Sequence, residues 1–279
     1  MHREEKATAT APMAHLHFDV DKVTKRGIKG VNRAAAFLGM GLIPTRRAPP
    51  KSVTIEGGIT WRFLPDPLPE NLAKQIALEY KDWLIGNALR ELDLHFSLYL
   101  DEVWRVTQWG SLHGKTVRSD HRIKEIDGDT NAANKLSRIT ELLGEKNAHT
   151  EHLWSLSNAR NCFSHNAGIV SERYAKSGGK LKLSWMTFDI ELVQGDNVLN
   201  ITRENFPLSA PDTTKEAQIR ATFRPHERLF EIGQRIDLSE HELNEICGFY
   251  YISITETSKK LHDFLISRGI RSVARENLP

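Results

Sequence analysis

Apolar residues recur every three or four positions in several long stretches of the chain, and this period predicts amphipathic helices. The predicted helices cover about residues 70–107, 130–144, 148–165 and 239–269. The first is one long helix or two helices with a bend near Gly86. The last is the clearest, because Ser239 and Glu242 form the pattern of a capping box and Gly269 provides a terminator.

The apolar period changes from helical to alternating between residues 180 and 201. Two alternating sets of opposite parity occur: Leu181, Leu183 and Trp185, then Phe188, Ile190 and Leu192. They predict a β-hairpin or a small three-stranded sheet, with a turn at Gly195-Asp196-Asn197 and a bulge or break near Met186. Residues 202–225 are expected to form a loop and residues 224–236 a short helix.

The N-terminal part differs in composition from the rest. Between Lys22 and Lys51 the chain has eight Lys or Arg residues and no acidic residue, interrupted by glycines and by Pro49-Pro50. We therefore expect a loosely structured basic arm over residues 1–65, with a small hairpin around Gly57-Gly58. Residues 66–279 then form a mainly α helical bundle with a β insertion at about 180–201.

Charge and cysteine content narrow the class of protein. The net charge is only +2, so an anionic partner would have to bind a local patch. Two cysteines cannot build a disulfide framework or a four-thiolate zinc site, and they suit a reducing compartment. No apolar run approaches the roughly 20 residues that cross a bilayer. We expect a cytoplasmic protein that is not bound to a membrane.

The best chemical candidate is the segment from Arg160 to His165, which reads RNCFSH. On an ideal helix, one stripe of this segment faces the core and consists of Leu153, Leu156 and Phe163. A second stripe lies roughly opposite and consists of Trp154, Asn158, Asn161 and His165. Asn161 and His165 are i,i+4 neighbours that can touch, and Arg160 sits at the edge of the buried stripe. Arg160 and His165 point about 140° apart. They meet at one ligand only if the helix loosens near His165 or if a second copy of the chain completes the site.

Arg160-Asn161 followed by three residues and His165 resembles the Arg-x4-6-His motif of HEPN-domain ribonucleases, in which a polar residue typically follows the arginine. The resemblance extends over about residues 66–268 and implies a HEPN-like helical bundle. Members of that family cut RNA without a metal, usually as dimers that bring two motifs together, and many are toxins or phage-defence effectors. The resemblance thus implies an RNA substrate, a homodimer, and an antitoxin or regulatory protein as a further partner.

These residue types suit RNA cleavage. Histidine titrates near neutral pH, so His165 can transfer protons, and the planar Arg160 guanidinium can stabilise charge on a phosphate. Asn161 can hold the imidazole or the phosphate by a hydrogen bond. Attack by the 2′-hydroxyl would leave a 2′,3′-cyclic phosphate and a 5′-hydroxyl.

Other interpretations remain open at this point. Arg160 could pair with a carboxylate such as Glu102 or Glu245, and His165 could be a partner of the helix dipole. The chain could also be a non-catalytic HEPN-like module that binds a nucleotide or a protein, or a nucleic-acid-binding regulator that uses its basic arm. Basic residues in 115–124 are candidates for contact with an RNA backbone, although a solvated loop explains them equally well.

Three weaker candidates complete the survey. His15 and His17 with Asp19 could ligate a metal, but no further ligand is close by in the sequence, so we expect no metal and no cofactor. Cys162 is placed opposite the core stripe, where a thiol role would need a suitably placed base. Ser164 lacks an acidic orienting partner for a hydrolase triad.

Overall fold

The computed structural model describes residues 17–42, 52–54, 60–115, 122–126, 131–144, 149–175, 178–201 and 216–270. Their elements, in chain order, are α1 (Val20–Leu42), β1 (Ser52–Thr54), β2 (Thr60–Arg62), α2 (Glu70–Ser111), α3 (Ala132–Leu142), α4 (Thr150–Asn166), β3 (Lys180–Gln194), β4 (Asn197–Ile201), β5 (Gln218–Glu231) and α5 (Glu240–Ser267). The chain is therefore mainly helical with a small antiparallel sheet, as the sequence predicts. Within the described ranges, no helix has the length and apolar character needed to cross a bilayer.

Helix α2 is the centre of the bundle, and the other four helices all pack against it. It is one 42-residue helix, so the alternative of two helices divided near Gly86 is wrong. Gly86 instead allows a close approach of α4, because a Cβ at this position would lie 2.9 Å from the Cβ of Phe163. The absence of a side chain at Gly86 thus fixes how closely the two helices pack.

Helix α1 corrects the prediction of a loose basic arm for residues 20–42. Val31, Ala34 and Leu38 are buried in the main core, and the helix packs on both α2 and α5. Its basic residues lie on the outer face, where Arg26 and Arg33 form ion pairs with acids of α2. The charges and the glycines of this segment favour a loose arm, whereas the apolar stripe between them packs on the core. The predicted hairpin that follows is confirmed by antiparallel pairing of β1 with β2.

The insertion is a three-stranded antiparallel sheet with the strand order β4-β3-β5. Strands β3 and β5 pair without interruption from Lys180 with Glu231 to Val193 with Gln218, so the bulge expected near Met186 is absent from this ladder. Strand β5 also replaces the loop and the short helix predicted for its residues. Pro225 lies within β5, which is an edge strand, where a residue without an N–H is tolerated.

The change of parity along β3 has a different origin from a bulge. Leu181, Leu183 and Trp185 are buried beneath the sheet, which packs on α4 and α5 through β3. Farther along, the sheet extends beyond the helices, and the apolar residues occupy the opposite face. Phe188 and Phe223, which are paired across the strands, are 41% and 51% exposed on that face. The ladder is regular, and only its surroundings change.

Candidate active site at the end of helix α4

The segment with the motif is helical to its last residue, and a left-handed terminus then reverses the chain. Ala167 has φ 48° and Gly168 has φ 76°. The N–H groups of Ala167 and Gly168 both donate to the carbonyl of Cys162, the second at 3.2 Å, and these bonds close the end of the helix. A Cβ at Gly168 would lie 2.7 Å from the ring of Phe163, so the terminus requires glycine there. Since α4 extends to Asn166, the helix does not loosen at His165.

The guanidinium of Arg160 is held in one orientation by two neighbours. Its Nη1 donates to Oδ2 of Asp93 at 2.5 Å, and its Nε and Nη2 donate to Oδ1 of Asn161 at 3.1 Å and 2.7 Å. These bonds use three of the five guanidinium N–H groups. The side chain is 27% exposed, so the remaining N–H groups can meet a ligand from solvent. The predicted position at the edge of the buried stripe is confirmed.

Asp93 on α2 is the partner that the sequence analysis missed. Its side chain is only 7% exposed, and it also accepts a hydrogen bond from Oγ of Ser157 at 3.2 Å. Burial raises the pKa of this carboxyl above its ordinary value, and the charge of Arg160 opposes that rise. A signal was present in the sequence: Asp93 lies among apolar positions of α2, four residues after Leu89 and three before Phe96. A lone carboxylate on a core-facing stripe needs a buried partner.

The two carboxylates suggested as alternative partners of Arg160 have other contacts. Glu102 forms an ion pair with Arg26 of α1. Glu245 accepts hydrogen bonds from Nε1 of Trp185 and Oγ1 of Thr187. The alternative in which Arg160 pairs with a carboxylate is thus correct in kind, but the partner is Asp93.

His165 is exposed at the end of α4, and its imidazole forms no hydrogen bond or ion pair with another described residue. The expected contact with Asn161 is missing, because the Asn161 carbonyl oxygen is turned to Arg160. Arg160 and His165 leave the regular helix in different directions. The three motif residues therefore lie close together along α4, while Arg160 and His165 do not converge within one chain.

Cys162 is fully buried, which corrects its predicted place opposite the core stripe. Helix α4 packs on α2 and also on β3, so its buried face is wider than one stripe. The thiol donates to the carbonyl of Ile169 at 2.9 Å, and burial raises its pKa to about 11. A protonated, enclosed thiol is a poor nucleophile, so Cys162 supports the helix terminus.

The remaining candidates add no second site. Of the suggested metal ligands, His15 lies outside the described residues, and His17 and Asp19 precede α1. Within the described part of the chain, no group of three His, Cys, Asp or Glu side chains is placed to hold a metal ion.

Comparison with known proteins gives no assignment: no protein-family model, no curated protein and no solved structure matches this chain.

Replacing Asp93 with asparagine is expected to leave the fold intact and to impair the site. Because the folded-state pKa of Asp93 is raised above 3.8, ionised Asp93 lowers stability, and this cost grows as the pH rises through the window above 3.8. The Tm of Asp93→Asn should therefore equal or exceed that of wild type at pH 7, with the difference shrinking toward pH 4. Any RNA cleavage should fall about tenfold or more, because Arg160 loses its charged support.

Melting curves of both proteins at several pH values, together with cleavage rates, test this expectation. A Tm that falls on substitution would show that Asp93 is mainly a stabilising residue.

Proposed function

We propose that this protein is a metal-independent endoribonuclease of the HEPN type, in which Arg160, Asn161 and His165 act on a phosphodiester of RNA. One observation carries the proposal: the Arg160 guanidinium is fixed by a buried carboxylate yet open to solvent, on the same helix as an exposed histidine. Fixing an arginine by burying an aspartate whose pKa is raised costs stability. Such a cost is typical of a functional site.

The chemistry assigned to these groups is transesterification. A histidine imidazole removes the proton from the 2′-hydroxyl, and O2′ attacks the adjacent phosphorus. The bond to O5′ breaks, and O5′ takes a proton from an imidazolium, which leaves a 2′,3′-cyclic phosphate and a 5′-hydroxyl. Arg160 donates hydrogen bonds to the phosphoryl oxygens as their negative charge increases. Asn161 is assigned to hold Arg160, in place of the predicted role of orienting His165.

The proposed site is composite and includes a second copy of the chain. Arg160 and His165 diverge on a helix that stays regular to Asn166, so the first of the two predicted ways of bringing them together does not apply. A twofold dimer that apposes two α4 termini would place two histidines in one cleft, one for each proton transfer. A toxin or phage-defence role, with an antitoxin or regulator as partner, is part of the proposal through the family resemblance alone.

The test is incubation of purified protein with RNA in EDTA, followed by analysis of the product ends. We expect cleavage with 2′,3′-cyclic phosphate and 5′-hydroxyl termini, and no cleavage of the same strand when it is 2′-O-methylated. A protein that cuts the methylated strand would use another nucleophile, and a protein that cuts neither strand would be better described as the non-catalytic module.

Mixing separates a composite site from a single-chain site. Wild type is coexpressed with an excess of the double variant Arg160→Lys/His165→Ala, and the mixed dimers are assayed. In a composite site each mixed dimer lacks one arginine and one histidine of the pair, so activity per wild-type chain falls with the excess of variant. Activity per wild-type chain that stays constant would contradict the dimeric site.

A further inference from the structure

A cleft with a volume of about 290 Å³ lies between α2, the segment 122–126 and α3, away from the motif. Its described lining consists of Asp101, Trp104, Arg105, Ile123, Lys124, Glu125, Ile126 and Lys135. The volume is near the lower limit for sites that bind small organic molecules. It suits one nucleotide better than a larger ligand.

We propose that this cleft is a subsite for one nucleotide of the RNA strand, with the base against the indole of Trp104 and the phosphate against Arg105 and Lys124. The inference rests on the proposed ribonuclease function, since it assigns a place to substrate beyond the scissile bond. It is carried by three features of the cleft: a flat aromatic wall, basic side chains at its mouth and a charged floor.

Trp104 forms the aromatic wall and is fixed in place by the loop. Its Nε1 donates to the carbonyl of Lys124 at 2.8 Å, so the plane of the ring is set before any ligand arrives. The side chain is partly buried: one part packs against the main core, and the rest contributes to the lining of the cleft. Many proteins that hold single-stranded nucleic acid stack its bases on such rings beside a positively charged groove.

The charges around the indole suit a phosphate. Arg105 and Lys124 are exposed, and neither forms an ion pair with a described residue. Lys135 lies at the floor with its side chain 5% exposed, and it donates to Asp101 at 2.6 Å. Burying an ammonium group with a carboxylate costs free energy of folding. Such a cost is more readily explained if the pair belongs to a binding site than if it has no function. With Glu125, the lining carries three positive and two negative charges.

The position of the cleft relative to Arg160 fits one continuous strand. Trp104 follows Asp93 by eleven residues on α2, which brings it back to nearly the same side of the helix and about 16 Å farther along the axis. Nε1 of Trp154 on α4 donates to Asn134 of α3 at 3.3 Å, and Asn134 precedes Lys135, which lines the cleft. Trp154 belongs to the same α4 stripe as Asn161 and His165. A strand of a few nucleotides can therefore extend from the motif to the cleft.

The experiment measures binding of a 2′-O-methylated oligonucleotide, which cannot be cut by 2′-hydroxyl attack, so it does not depend on cleavage. Trp104→Ala should raise Kd about tenfold or more, and Trp104→Phe, which keeps a flat ring, should restore most of the affinity. Arg105→Gln should lower the slope of log K against log salt by about one. A 5-iodouridine strand should crosslink to Trp104.

The charge-reversal pair Arg105→Glu/Lys124→Glu has a matched control in Lys25→Glu/Lys29→Glu. The control lysines are exposed on α1. Helix α1 packs on α2 at His95 and Tyr99. His95 lies about 180° around α2 from Trp104, so the control lysines are on another side of the bundle from the cleft. Only the cleft pair should weaken binding strongly. Circular dichroism confirms folding of each variant.

Several results would overturn the subsite. Equal loss of affinity in both charge-reversal pairs would indicate unspecific electrostatic attraction. Unchanged affinity in all the cleft variants would show that the oligonucleotide does not bind in the cleft. A free mononucleotide that binds as tightly as the oligonucleotide would make this a ligand site and not a strand subsite. A different result would contradict the ribonuclease proposal alone. In that case the oligonucleotide binds in the cleft, but the wild-type protein cuts no RNA.

Discussion

Substitution of Arg160 with lysine is expected to lower the rate of RNA cleavage in EDTA by about 10²–10³-fold, and His165→Ala by about 10²–10⁴-fold. Lysine keeps the positive charge beside Asp93 but loses the planar pair of N–H groups that match two phosphoryl oxygens. Alanine at 165 removes the group to which both proton transfers are assigned. Arg160→Ala is the poorer variant, because it would leave the buried Asp93 carboxylate without its partner.

Initial rates on a defined RNA, measured with melting curves of each variant, check this expectation. His262→Ala is a suitable control, since His262 is a half-exposed histidine of α5 outside the motif. It should cleave RNA at the wild-type rate. Variants at 160 and 165 that retain full activity would rule out both residues as the catalytic groups and would place any nuclease activity elsewhere.

A pair of glycine substitutions in α1 is expected to have opposite effects on stability. A Cβ at Gly30 would overlap the Cβ of His95 on α2, which cannot move without shifting the backbone. Gly30→Ala should therefore destabilise the protein by about 3 kcal/mol. This loss would lower Tm by roughly 5–10 °C.

Gly39 is the matched control, because it lies in the same helix with open space around its Cα. Gly39→Ala should stabilise the protein by about 0.5–1 kcal/mol, since alanine has the higher helix propensity. Thermal and urea unfolding of both variants measure the difference. If Gly30→Ala unfolds like wild type, α1 is not packed on α2 as described.

The packing of α1 also affects any test of the basic N-terminal arm by deletion. Removal of residues 1–50 would take away a helix of the core, so a loss of function in that variant would not show that the arm binds nucleic acid.

The bundle helices could be predicted from the sequence because their apolar period is long and their termini carry clear signals. The capping box of α5 is present as predicted, with Ser239 and Glu242 bonded to each other's backbone N–H groups. Helix α1 could not be recognised in this way, because its close contacts use glycines, which read as breaks in a single sequence. Strand β5 was missed because it is exposed over most of its length and therefore lacks the alternation that burial imposes.

The candidate site was predictable in part. The helix, the edge position of Arg160 and the exposure of one stripe follow from the 100° rotation per residue. The partner of Arg160 depends on which helix packs against α4, and a sequence does not state that. Asp93 becomes the partner because Gly86 and Phe163 set the register between α2 and α4. The Asn161 amide oxygen is turned to Arg160 because it accepts two hydrogen bonds from the guanidinium that Asp93 holds.

The packing of α1 against α5 has a consequence for how the protein is made. Oγ1 of Thr24 donates to Oγ of Ser258, which is 234 positions away in the chain. The pocket that holds Asp93 also needs α5, since Tyr250 lies near enough for the carboxylate charge to add to the rise in its pKa caused by burial. A nascent chain lacks α5 until well after α2 and α4 have been synthesised, and contacts of such high contact order form late. Arg160 would thus be held in its final orientation only after α5 has been synthesised and has packed on α1 and α2.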